Sequence, residues 1–319
     1  MKVRGRVALS GGGVAALVLL AGFALLPLAQ QPFVTRIGTG IFILALATIS
    51  LNLLVGYGGL VSFGHAAYFG AGAYAVAILS HYGTHRGWIA FAAAVGGSAL
   101  LALILGAASL RVRGVFFIMI TLAFAQMLYH LSTAVEKLGG DDGLRVVPNS
   151  FGPLFLGERL TLYYVSLGLL CAGLVISDRL VASHFGRVLV GIRDNERRMR
   201  SLGYNPYHYR LLAFVIAGAL AGLAGALEAN LDAYASPELL HWSISGDLLV
   251  MLVLGGSGSI VGPLFGAVSF QLVQQVLSGF TSHWMLYFGP ALVLIVFVSR
   301  RGVAGLFAGT RPHHMRGGR

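Results

Sequence analysis

The sequence predicts an all-α polytopic membrane protein of about 8–10 transmembrane helices, with glycine-broken or re-entrant segments near residues 56–65 and 255–259. Three observations carry that reading. Of 319 residues, 57% are hydrophobic and 10% are charged, and mean hydropathy is +0.81. Soluble domains carry about 25% charged residues and could not hide so much apolar surface. Apolar runs recur along the chain, most of them reaching the ~20 residues a helix needs to cross a bilayer. Between two of these runs, residues 182–210 concentrate six arginines: Arg187, Arg193, Arg197, Arg198, Arg200 and Arg210. At about 3 kcal/mol per arginine, burying them at a bilayer centre would cost on the order of 18 kcal/mol, so this stretch lies in water.

The runs occupy residues 7–29, 38–56, 66–81, 88–110, 114–133, 161–181, 211–231 and 284–300, with a further run at 246–278 broken by GGSGS. The first resembles a signal peptide, but its apolar stretch exceeds the usual ~7–15 residues and reads as a retained first span. The run at 66–81 is short. The two breaks, at 255–259 and within LNLLVGYGGLVSFGHAAYFGAGAYA (51–75), share one plan: apolar, then glycine-rich, then apolar with small residues. Glycine has little helix propensity and tolerates sharp turns. Interrupted spans in both halves hint at internal duplication around a central pathway, although glycines serving close helix packing account for the same pattern.

Placing both termini in the cytoplasm leaves 17 of the 22 basic residues inside, and only Arg36, Arg86, Lys137, Arg145 and Arg159 outside. That bias follows the positive-inside rule. It requires 246–278 to enter and leave on one side, since a single crossing would put the basic tail, 301–319, outside. The chain therefore reads as one transmembrane domain: a membrane core over 7–300, a cytoplasmic segment at 182–210 and a basic tail. The longest external loop, 134–160, holds Glu136, Asp141, Asp142 and Glu158 and reads as a docking or lid surface rather than a domain.

Within the cytoplasmic segment, 184–201 suits a short helix. Asp194 precedes Arg198 by four and Glu196 precedes Arg200 by four, both fit for helical ion pairs. Val188, Ile192 and Met199 give it a partly apolar face. Gly203 is placed to end it. Asn205 then caps the next helix with Pro206 at its first position, and Gly218 and Gly222 form a GxxxG pair for close helix approach. The segment reads either as a solvated loop helix or as a coupling helix that fits a cleft on a cytoplasmic partner.

Three stretches, LNLLVGYGGLVSFGHAAYFGAGAYA, GRVLVGIRDNERRMRSLGYNPYHYRLLAFVIAGALAGLAGAL and SPELLHWSISGDLLVMLVLGGSGSIVGPLFGA, resemble the permease subunits of branched-chain amino acid ABC transporters, in the branch that includes urea and short-amide permeases. In order and spacing, they span most of the chain from about residue 50 to 300. The resemblance implies a second homologous permease subunit, two ATP-binding subunits and an external solute-binding protein as partners, in the inner membrane of a bacterium or archaeon. It places Arg193, Asp194, Glu196 and Gly203 in the loop coupled to the ATPases. The family often has small residues after this glutamate. Here Arg197, Arg198, Met199, Arg200 and Ser201 follow, which implies more electrostatic docking.

Other chemistries find no residues to carry them. GGSGSIVG lacks the lysine a P-loop needs, so ATP hydrolysis falls to partners. No HExxH, GxSxG or paired intramembrane carboxylates appear, and no cofactor is implied. Cys171 is the sole cysteine, which excludes an intrachain disulfide. The net charge of +11 follows from basic loops, and no nucleic-acid motif accompanies it. A proton-driven carrier would bury acid or histidine relays; the candidates here are His65, near the first break, and His130, Glu228 and Asp232, near span ends. Asn52, Ser62, His65, Gln126 and Asn230 are the polar groups positioned to line a path, and each also suits helix–helix hydrogen bonding. The function that emerges is inward transport of a small polar solute, branched-chain amino acids first and urea or short amides as alternatives. A self-sufficient carrier or channel is the competing class.

Overall fold

In the computed structural model, the described residues are 11–29, 31–152 and 154–280, with Leu286 and Gly289. The run at 284–300, the tail at 301–319 and residues 1–10 lie outside them apart from those two positions. The helices are α1 Gly11–Leu25, α2 Pro32–Asn52, α3 His65–His81, α4 Gly87–Ser109, α5 Val115–Ala134, α6 Arg159–Ala182, α7 His184–Asp194, α8 Glu196–Ser201, α9 Pro206–Asp232, α10 Trp242–Gly255 and α11 Gly262–Phe280. Five helical stretches among the described residues are long and apolar enough to cross a membrane: Pro32–Tyr57, Gly87–Ser109, Val115–Ala134, Arg159–Ala182 and Pro206–Asp232. The expected all-α polytopic architecture is borne out.

The apolar content is distributed by depth. The α2 stretch is 83% buried over its most apolar window and α9 is 61% buried, whereas α5 is only 22% buried. So α2 and α9 form the centre and α5 stands at the periphery. Small residues set how closely α9 is held. A Cβ on Gly218 or Gly222 would run into Ala102 and Ser98 of α4, and one on Gly225 would strike the Phe69 carbonyl of α3. The GxxxG pair thus faces α4, where bare backbone lets the helices touch.

Both glycine breaks form. After Asn52 the backbone widens into a π turn over Leu53–Tyr57, Gly59 turns with φ +68°, and α3 starts only at His65. The second run folds back on itself at residues 255–262, where Gly256 and Gly258 take φ +98° and +77°. Gly255 meets Gly262 and Gly266 meets Met251, so α10 and α11 are an antiparallel hairpin. This is the enter-and-return geometry expected of 246–278. α3 and α10 are short, at 17 and 14 residues, and their first turns meet where Ala66 N donates to Ser245 Oγ at 2.8 Å.

The 134–160 loop is pinned in place. β1 (Leu144–Arg145) pairs antiparallel with β4 (Tyr234–Ala235) just after α9, and β2 (Ser150–Phe151) pairs with β3 (Leu154–Phe155). Val147 N donates to Ser80 Oγ at 2.8 Å, tying the loop also to α3.

Residues 184–201 depart from the single helix expected. They form α7 and α8, broken at Asn195, whose backbone is extended (φ −156°, ψ 95°) and whose side chain caps α8 by accepting from Arg198 N at 3.0 Å. An asparagine oxygen competes well for free N–H groups at a helix start. The break takes Asp194 out of register with Arg198. Asp194 pairs with Arg193 instead, Nη2 to Oδ1 3.2 Å, while the Glu196–Arg200 pair forms at 2.7 Å. Gly203 ends α8 with φ +87°, and Asn205 accepts from Tyr207 N at 3.1 Å to cap α9, with Pro206 in its first turn.

Candidate functional site

α7 is strongly amphipathic because its apolar residues fall on one face. Val188, Leu189 and Ile192 are buried. Leu189 shares a cluster with Leu53, Leu54 and Tyr57 of the π turn and with Phe214 of α9. Each such side chain removed from water is worth roughly 1.5–3 kcal/mol. The opposite face carries Arg187 and Asp194, both exposed.

That packing aims Arg193 at the first break. Its Nη1 donates to the Gly56 carbonyl, while Nε and Nη2 hold Asp194 Oδ1 at 3.3 and 3.2 Å. Gly59 makes room for it, since a Cβ there would lie 2.6 Å from Arg193 Cγ. Gly56 in turn abuts the second break, where an added Cβ would stand 2.6 Å from Gly258 N. Asn52 closes the junction: its Nδ2 donates to Ser259 O at 2.8 Å and its Oδ1 accepts from Gly258 N at 3.0 Å. The two broken segments therefore meet at Gly56 and Gly258, with α7 fastened over them through one arginine.

Glu196 organises the other half of the charged unit. Its two oxygens take Arg113 (2.7 Å), Arg200 (2.7 Å) and Arg210 (3.0 Å), joining the α4–α5 turn, α8 and the first turns of α9. Burial pushes the Glu196 carboxyl up, but the charges of Arg210 and Arg113 and the hydrogen bonds of Arg210 and Arg200 outweigh it and hold the group below its ordinary value.

The remaining polar positions are dispersed. His65, fully buried, has Nε2 2.6 Å from Ser50 Oγ and no partner for Nδ1 among the described residues. Ser62 Oγ accepts from Gly64 N at 3.2 Å. Neighbouring Phe63 N donates to Thr121 Oγ1 of α5. Gln126 lies farther along α5 with Oε1 buried and unpartnered among the described residues. Asn230 lies at the other end of the molecule, where its Oδ1 accepts from Asn149 N at 2.8 Å and its Nδ2 donates to Ala226 O at 2.7 Å. Asn52 and Arg193 converge on one junction, and His65 and Ser62 belong to the start of α3. Gln126 and Asn230 stand apart. Sequence reading passed over Ser50, Ser245 and the roles of Arg113 and Arg210. A serine in an apolar run gives no signal of which backbone it will meet.

Spans broken in both halves, meeting at one end beneath a charged helical unit, define a polytopic transporter subunit. The chain belongs to the family described as the branched-chain amino acid transport system permease component, whose profile matches residues 33–298. It is 29% identical to the high-affinity branched-chain amino acid transport system permease protein LivM of Salmonella typhimurium, over 96% of this chain and 78% of the relative. The LivM of Escherichia coli matches to the same extent. The high-affinity branched-chain amino acid transport system permease protein LivH of Escherichia coli is 23% identical over 82% of this chain and 91% of its own length. Each of these relatives is a transport system permease protein. No solved structure matches the chain significantly.

Proposed function

We propose that this chain is one of two permease subunits of an ATP-binding-cassette importer that moves branched-chain amino acids inward, with energy supplied by two separate ATP-binding subunits and solute delivered by an external binding protein. The observation that carries this reading is the junction itself: α7 is fastened by Arg193 to Gly56, and Gly56 rests on Gly258. Force applied to α7–α8 reaches both broken segments without passing through a flexible linker.

In this reading α7–α8 and both termini face the cytoplasm of a bacterial or archaeal cell, and the β-capped loop faces out. Arg193, Asp194, Glu196 and Gly203 form the element that meets the ATPases: Arg193 transmits, Glu196 holds α8 to α9, and Gly203 sets the turn between them. The packed junction at Asn52 and Gly258 is the closed inner end of the path. ATP binding in the partners would shift α7 and part the two breaks. Similarity to both LivM and LivH supports pairing with a second, related permease.

The test is reconstitution into liposomes with the two ATP-binding subunits, the second permease and the binding protein. Labelled leucine should accumulate only when every component and ATP are present. Leucine flux through this chain alone would favour a self-sufficient carrier, and uptake of urea in preference to leucine would reassign the solute.

A further inference from the structure

A cavity of about 390 Å³ opens between the α4–α5 turn and the first break. It lies at the same end of the spans as Glu196. Its lining combines apolar side chains, among them Leu60, Val61, Leu110 and Ile118, with the basic Arg113 and Arg210. Glu196 also lines it, but both Glu196 oxygens are committed to three arginines. Three cations against one carboxylate leave this cluster with an excess of positive charge. Arg113 is 67% exposed at the side chain, and the Nε of Arg210 is buried with no partner among the described residues. From Val115, which also lines the cavity, the apolar surface continues along α5 through Phe116 and Met119, each of the three at least 60% exposed.

We propose that this cavity binds an anionic glycerophospholipid, its phosphate on Arg113 and Arg210 and an acyl chain against Leu60, Val61 and Ile118 and on along α5. Two features single out a lipid. The site sits at the turn between two helices long and apolar enough to cross a membrane, and basic pockets at the ends of such helices take anionic lipid heads. Its charged side chains also share the cavity with apolar ones and with the exposed apolar surface of α5, which a soluble anion would leave unused. An acidic side chain of a partner protein would satisfy the charge but would leave the apolar lining and the α5 surface uncovered. The bound lipid would touch Leu60 and Val61 of the first break, so its presence would bear on the segment that α7 grips from the other side.

Native mass spectrometry of the purified full chain, titrated with phosphatidylglycerol or phosphatidylcholine in detergent, tests the site. Phosphatidylglycerol is expected to be retained preferentially. R113Q should weaken its binding about fivefold, equivalent to about 1 kcal/mol per basic residue at an anionic surface. R113K should keep most of the binding, which separates loss of charge from loss of fold, and R111Q, at the same turn but outside the cavity, should change nothing. Equal retention of the two lipids, or equal behaviour of R113Q and R111Q, overturns the proposal. So does displacement of the lipid by millimolar inorganic phosphate, which would mark a free-anion site. Unchanged lipid binding in R113Q, with weakened association of an ATP-binding subunit, would assign the cavity to a protein partner instead.

Discussion

Arg193, next to last in α7, donates to the main-chain carbonyl of Gly56, 137 residues earlier in the chain. The bond joins a water-exposed helix to the point where a membrane span stops being helical. A π turn leaves carbonyls out of the usual ladder, and the guanidinium takes one of them while its remaining nitrogens hold Asp194.

Removing that side chain should disconnect the two. A hydrogen bond from a charged donor contributes roughly 1.5–3 kcal/mol. R193A in the assembled importer is expected to lower leucine transported per ATP hydrolysed by about tenfold or more, with membrane insertion unchanged. R193K should recover little, because an ammonium lacks the fork that spans Gly56 and Asp194. An unchanged transport-to-hydrolysis ratio in R193A would remove the coupling role.

Gly56 tolerates no methyl group where it faces Gly258 N, 2.6 Å from the position an added Cβ would take, and Asn52 Oδ1 crowds the same space. Overpacking of this kind costs about 1–3 kcal/mol. G56A should unfold at a lower temperature in detergent than the parent. G40A is the control, since a Cβ there meets nothing within 4 Å, and its midpoint should match the parent's. Equal midpoints for the two variants would show that the breaks do not pack as described.

Asn52 is a bridge that alanine cannot replace. N52A leaves Ser259 O and Gly258 N without their partner, and each unsatisfied group costs about 1–3 kcal/mol. Amide hydrogen exchange over residues 256–260 should accelerate by at least about tenfold in N52A. N52D keeps an acceptor for Gly258 N but loses the donor to Ser259 O, so its exchange should fall between. Parent-like exchange in N52A would mean that the hairpin holds itself.

The Glu196 hub has a defined pH behaviour. Its folded carboxyl titrates below the ordinary 4.5. Its stabilisation is therefore complete above that value and is lost as pH falls through the lower folded one. Between roughly pH 6 and 8 that contribution is constant, so thermal stability should show no pH dependence arising from Glu196. E196Q at neutral pH should loosen α8, seen as faster proteolysis at the exposed Arg197 and Arg198. A parent-like digestion rate for E196Q would show that the three arginines are not what holds α8.

Sequence alone was enough for the class, the two breaks and the water-exposed segment, because each follows from local chemistry. Hydropathy over ~20 residues marks a span, clustered glycines stop a helix, and six arginines cannot enter a bilayer. The caps at Gly203 and Asn205 and the Glu196–Arg200 pair were legible for the same reason. The helix break at Asn195 was written locally too, in an asparagine three residues before Arg198, but the i to i+4 charge pattern of Asp194 and Arg198 pointed the other way.

Only the tertiary structure decided who meets whom. Asn52 and Gly258 lie 206 residues apart, and nothing in either neighbourhood names the other. His65 and Asn230 looked alike as polar residues in greasy runs, yet one is packed on Ser50 within the core and the other ties down a loop at the opposite end. A side chain's polarity dictates that it must find a partner. Which partner it finds depends on how α2, α9 and α11 pack, and that arrangement is settled by close-fitting glycines and alanines whose spacing can mark a close contact, as at Gly218 and Gly222, but does not name the helix that is met.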